Sequence, residues 1–107
     1  MGQPTKRVPT PPTVVHVNKG PYDTYIGRAF AGLPQSKWHN PIFLKDPNDP
    51  IERYEVAAQY EIYIRGHVEL IAALHELEGK RLGCWCRPKF PCHGDVLVKL
   101  FLEFVHD

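Results

Sequence analysis

The chain has 107 residues, 43% of them hydrophobic and 23% charged, with a formal net charge of +1. That length fits one domain around one core, the composition excludes a wholly disordered chain, and the near-neutral total excludes a strong general attraction to nucleic acid. No apolar stretch approaches the roughly 20 residues of a membrane-spanning helix, and the N-terminus lacks the hydrophobic segment of a secretory signal, so the expectation is a cytoplasmic protein with no membrane partner.

The lead Met1–Thr13, with Pro9, Pro11 and Pro12, favours an extended conformation. It is expected to be flexible or to pack along a neighbour, with residues 14–107 forming the single domain. Val14–Val17 is a β-branched run that reads as a buried first strand, closed by the turn residues Asn18–Pro21. Tyr22–Gly27 is a weaker second strand, with Tyr22 and Tyr25 as packing residues. From Arg28 to Pro50, prolines, glycines and Asn40 predict a long loop, which in so small a domain points to function.

Asp49-Pro50-Ile51-Glu52 has the chemistry of a helix start: a capping carboxylate, proline at the first helical position and an acid against the helix dipole. The helix is predicted to bury Ile51, Tyr54, Ala57, Ala58, Ile62 and Tyr63, and to break at Gly66. A second helix, His67–Glu78, is predicted to turn Val68, Ile71, Ala72 and Leu74 inward and to stop at Gly79. Lys80–Trp85 follows as a strand, its period of two placing Leu82, Cys84 and Cys86 on one face and Trp85 on the other. Val96, Leu97, Leu100, Phe101, Phe104 and Val105 then mark an amphipathic helix starting near His93. The order predicts a small Rossmann-like α/β domain with a mainly parallel sheet flanked by helices, its ligands collecting beyond the carboxyl ends of the strands.

Charge and chemistry are unevenly placed. Residues 46–78 hold eight acids against two bases, leaving eleven bases and four acids elsewhere, which allows a local anion site if those bases share a face. All three cysteines fall within Cys84–Cys92, a poor disulfide framework but a plausible metal or reactive-thiol cluster. Three chemistries compete there. Cys84, Cys86, Cys92 and His93 offer soft ligands for zinc, although C-x-C-x5-C-H lacks the two separated pairs of a common finger. Cys92 at a helix start is a candidate low-pKa thiol, against an inert buried cysteine. Asp95 or His93 is a candidate general base, against a first-turn carboxylate that caps the helix and a structural histidine. Gly94 opens the helix N-terminus to an anion, with Arg87 the best residue for a two-pronged phosphate contact.

The loop carries residues suited to a nucleotide. Gly27 and Arg28 follow the second strand, Ser36 and Asn40 can hydrogen-bond a base or sugar, Lys37 suits phosphate, and Trp38 offers a stacking face or else anchors the loop in the core. Tyr25–Arg28, Ser36–Pro41, Cys84–Pro88 and Cys92–Asp95 together resemble the domain of unknown function 4326 family, small proteins of bacteria and their phages, over roughly Val14–Leu100. The resemblance implies a site in these segments and a bacterial or phage-infected cytoplasm, and it implies no particular chemistry.

The leading expectation is a protein that handles nucleotides or nucleic acid, acting at an N-glycosidic bond. Arg28, Lys37 and Arg87 would hold phosphate, Trp38 and Asn40 the base, and Asp95 would activate water or attack, with His93 assisting. The alternatives are a non-catalytic module in which zinc steadies a nucleic-acid or partner surface, and a phage-encoded inhibitor or nucleotide-sequestering factor. No cofactor is required in the leading scheme, and a homodimer is compatible with tyrosines exposed on the first helix.

Overall fold

The fold is described from a computed structural model over residues 8–46, 48–85 and 92–106. Its sheet grows from the two β-branched and apolar runs. β1 (Thr13–His16) and β2 (Thr24–Tyr25) both pair in parallel with β3 (Arg81–Cys84), giving the order β1-β3-β2. The register sets Val15 and Tyr25 on either side of Gly83. The protein is therefore a mixed α/β domain with an all-parallel three-stranded sheet. The second strand is shorter than Tyr22–Gly27, because Tyr22 turns over the sheet: a Cβ on Gly83 would stand 2.7 Å from the Tyr22 ring. Before β1 the lead runs beside the end of the helical segment, with Gly79 N–H donating to Thr10 O at 2.9 Å.

α1 (Pro50–Arg65) starts where its cap predicts, Asp49 Oδ1 accepting the Ile51 N–H at 2.9 Å, and ends at Gly66. The face it buries is a different one. Val56, Tyr60 and Ile64 enter the core, Ala57 and Tyr63 pack against it, and Ala58 is exposed along with Ile51, Tyr54 and Ile62. Apolar residues ring this helix almost evenly, so its periodicity does not select a face, and packing against the last helix decides. α2 (Val68–Ala73) passes into a 3₁₀ turn over Leu74–Leu77 and likewise buries Leu70, Leu74 and Leu77 rather than Val68 and Ala72.

α3 (His93–Phe104) agrees with its pattern through Phe101 and turns Phe104 outward. Its start is a capping box, in which Cys92 Sγ accepts the Gly94 N–H at 3.3 Å while Asp95 Oδ2 accepts the Cys92 N–H at 2.9 Å. Arg65 ties α1 to α3 through both oxygens of Glu103 at 2.6 Å, and Glu61 accepts Lys99 at 2.9 Å. Leu82 and Cys84 of β3 face this helical layer and are fully buried.

One ion pair has a readable pH signature. Arg81 grips Asp23 through Nε at 3.0 Å, Nη2 at 3.1 Å and its backbone N–H at 2.8 Å, tying the turn before β2 to the start of β3. These bonds hold the Asp23 carboxyl down at about 2, against an ordinary 3.8. Its contribution is complete above the ordinary value and is lost as pH falls toward 2, because the unfolded chain takes up the proton first. Acid unfolding of Asp23→Asn, followed by circular dichroism, is expected to lack this part of the wild-type decline.

Candidate functional site

A cavity of about 540 Å³ opens beyond the carboxyl ends of the parallel strands. Tyr25 at the end of β2, Trp85 just past β3 and His93 at the start of α3 form its base, the loop supplies Gly27, Arg28, Phe30, Asn40, Ile42 and Phe43, and α1 adds Arg53, Val56 and Ala57. This is where ligands gather in open parallel sheets, since the strands end there and connecting segments form a crevice.

Hydrogen bonds among the lining residues build the loop. Trp85 Nε1–H donates to Tyr25 Oη at 2.8 Å, and Tyr25 Oη–H donates to Arg28 O at 2.5 Å. Gly27 permits this reach, because a Cβ there would stand 2.6 Å from Tyr25 Cζ. Arg28 donates Nε–H to Asn40 O and Nη2–H to Ile42 O, both at 2.8 Å, and its guanidinium lies 3.9 Å from the Phe43 ring centre. One edge of the guanidinium thus latches the loop. The Nη1–Nη2 edge stays open, with no carboxylate bonded to Arg28 among the described residues.

Ser36 and Asn40 also turn part of their capacity inward. Ser36 Oγ accepts the Trp38 N–H at 3.0 Å, and Asn40 Oδ1 accepts the Ile42 N–H at 2.9 Å. Asn40 lines the cavity; Ser36 does not. Trp38 is in the core, 2% exposed, its carbonyl accepting Tyr60 Oη–H at 2.7 Å, so it anchors the loop and offers no face to a ligand. Lys37 points away and pairs with Glu76 at 2.6 Å.

At the start of α3, His93 reaches across to the loop, with Nε2 2.6 Å from Ile26 O and Nδ1 3.6 Å from Cys92 Sγ. Burial pushes the imidazole below its ordinary 6.5, against the pull of the Ile26 carbonyl and of Cys84. Neutral His93 therefore donates Nε2–H to Ile26 O. Gly94 is packed, since a Cβ there would lie 3.0 Å from both Ile26 and Val14. Asp95 is held in the capping box, and neither it nor Cys92 lines the cavity. Cys84 and Cys92 are both buried. Among the described residues no group of three His, Cys, Asp or Glu side chains is arranged to hold a metal; Cys86 and Arg87 lie outside those residues.

Of the residues expected at the site, Gly27, Arg28, Asn40 and His93 come together here, beside an aromatic lining that the sequence does not mark. Phe30 and Phe43 are 62% and 75% exposed, although both are large and apolar, and Phe30 meets Trp85 edge-on at 5.3 Å. Large aromatics inside a loop of turn residues were the available signal, because such a loop has no core of its own to bury them.

Comparison with known proteins leaves the chemistry open. The chain is 36% identical over 90 residues to the uncharacterized protein R718 of Acanthamoeba polyphaga mimivirus, a match covering 74% of this chain and 66% of that protein. It is 55% identical over 36 residues to an uncharacterized 12.4 kDa protein of the nrdA-td intergenic region of Enterobacteria phage T4, covering 34% of this chain and 32% of that one. The chain thus spans just under two thirds of the first relative and about one third of the second. No solved structure matches. No helix among the described residues is long and apolar enough to cross a membrane. The model of the family described as Domain of unknown function (DUF4326) matches residues 13–103, including every strand and almost all of α3, and the chain belongs to that family.

Proposed function

We propose that this domain binds nucleotides in the cavity beyond its strand ends, with an anionic group on Arg28 and a planar ring among Tyr25, Phe30, Phe43 and Trp85. One observation carries the reading. Arg28 is held by two backbone carbonyls and the Phe43 ring, with its outer fork open, on the wall of an aromatic cavity whose described lining contains two arginines and no carboxylate. A fixed guanidinium fork matches two phosphate oxygens, and aromatic rings supply the stacking that any base accepts. The crevice corresponds to the ligand position of a Rossmann-like fold, which is the sense in which we read this small sheet.

N-glycosidic cleavage requires a proton donor or a nucleophile at the bond. The described lining supplies neither carboxylate nor free imidazole nitrogen, so binding is the part of the nucleotide reading that the geometry favours. Calorimetric titration of the four common ribonucleoside 5′-monophosphates tests it, with Trp85 emission as the site-specific report, since Trp38 is buried. Saturable binding is expected for at least one, weakened by about 30-fold or more in Arg28→Gln through loss of a charge-assisted fork. No saturable binding to any of the four, or equal binding by a folded Arg28→Gln, overturns the proposal. Free base in the bound sample after prolonged incubation would extend it to glycosidic cleavage, and intact nucleotide would confine it to binding.

A further inference from the structure

A second hollow, of about 480 Å³, adjoins the cavity. Val15 and His16 of β1, Lys19 and Pro21 of the turn after it, and Arg81 at the start of β3 line it. The two spaces meet through their rings: Trp85 lines the cavity, His16 lines the hollow, and the rings stand edge-on with centres 5.9 Å apart. Asn18 N–H donates to His16 Nδ1 at 3.1 Å and Lys19 N–H donates to His16 O at 2.9 Å, so the turn folds back on the end of β1. Lys19 therefore stands past the carboxyl end of its strand, at the end of the sheet where the cavity opens.

Charge follows the same line. Ion pairs to carboxylates engage Lys37, Arg65, Arg81 and Lys99. Arg28 in the cavity and Lys19 in the hollow bond no carboxylate among the described residues, and no described carboxylate lines either space. The eight acids that bring the net charge near zero fall within residues 46–78, which hold α1, α2 and the 3₁₀ turn, so the total does not describe this end of the sheet.

We infer that the ligand of this site is single-stranded nucleic acid: one nucleotide occupies the cavity, and the strand continues past Trp85 and His16 to bring a neighbouring phosphate to Lys19. This rests on the nucleotide reading above. A free nucleotide needs one ring surface and one anion site, whereas a strand repeats both, and two adjoining spaces that each hold an aromatic ring and an unneutralised cation match that repeat. Lys19 is exposed on a flexible four-carbon stem, so its ammonium meets a phosphate without a preset orientation. A duplex lacks the free base faces that such rings require.

Calorimetric titration of a mixed-sequence, non-self-complementary ribonucleotide twelve-mer, against the four ribonucleoside 5′-monophosphates, tests this. Twelve equivalent positions raise the apparent affinity by at most about twelvefold on statistics alone, and one further stacked base adds at least about fivefold, so the strand is expected to bind about sixtyfold or more tighter than the best monophosphate. A gain within the statistical share overturns the inference and leaves the nucleotide reading standing; binding by neither strand nor monophosphate overturns both. The strand's log affinity is expected to fall against log salt with a slope of about −1.4, for phosphates on Arg28 and Lys19, and Lys19→Gln is expected to shallow it by about 0.7 and to reduce the strand's advantage over the monophosphate. An unchanged slope and advantage in that exposed-site variant overturn the path to Lys19. The twelve-mer annealed to its complement is expected to bind more weakly than the free strand, and equal or tighter binding of the duplex overturns the single-strand assignment.

Discussion

Replacing Trp38 with alanine is expected to destabilise the domain by about 3–5 kcal/mol, the range for removing a large aromatic side chain from a packed core. The indole is 2% exposed within the main cluster, and its own carbonyl accepts the hydroxyl of buried Tyr60, so the loss creates a cavity and loosens the segment that aligns the loop with α1. For a chain of this size that corresponds to a fall in melting temperature of roughly 15 °C or more, and Trp38→Phe should lose less because it retains a ring. Calorimetric melting with nucleotide titration separates the two roles considered for this residue. A near-native melt with lost ligand affinity would make Trp38 a stacking face; a large melting loss makes it the loop's anchor.

His93→Ala is expected to cost about 2–4 kcal/mol, combining an unsatisfied carbonyl with a hollow beside an aromatic ring. Ile26 is fully buried, its carbonyl accepts His93 Nε2–H at 2.6 Å, and the Tyr60 ring stands edge-on to the imidazole at 5.1 Å. The wild-type residue also leaves a pH signature. Burial holds the folded imidazole below its ordinary 6.5, so the unfolded chain takes up a proton first as pH falls. The stability that neutral His93 confers is complete above that ordinary value and declines below it toward the folded value. Urea unfolding between about pH 7.5 and pH 5 is expected to show this slope in the wild type and to lose it in His93→Gln, which does not titrate. A slope equal in both would show that His93 does not report on burial at this junction.

Local chemistry accounts for the parts of this fold that were legible in the residues. Asp49-Pro50 at the start of α1, Gly79 after the 3₁₀ turn and the Cys92–Asp95 box at the start of α3 act within a few bonds of themselves, so their meaning survives in isolation. The same holds for the apolar face of α3 through Phe101, whose stripe is concentrated on one side. α1 was illegible because its apolar residues surround the axis, and the burial of Val56 and Tyr60 instead of Ile51 and Tyr54 depends on where α3 lies. The site was found in part: Arg28, Asn40 and His93 were marked by their chemistry, whereas Tyr25 read as a packing group, Trp85 only as the outward side of a strand, and Phe30 and Phe43 carried no pattern.

The sequence by itself therefore determined the element order, the helix starts and the two segments that meet beyond the strand ends, because caps, turns and concentrated apolar stripes are short-range. Tertiary structure alone decided what those segments became. Arg28 finds its acceptors at Asn40 and Ile42, Trp85 finds Tyr25, and His93 finds the Ile26 carbonyl, partners 12 to 67 positions apart. A polar side chain's vacant capacity is what remains after such partners are satisfied, and only the folded chain brings them within hydrogen-bonding reach.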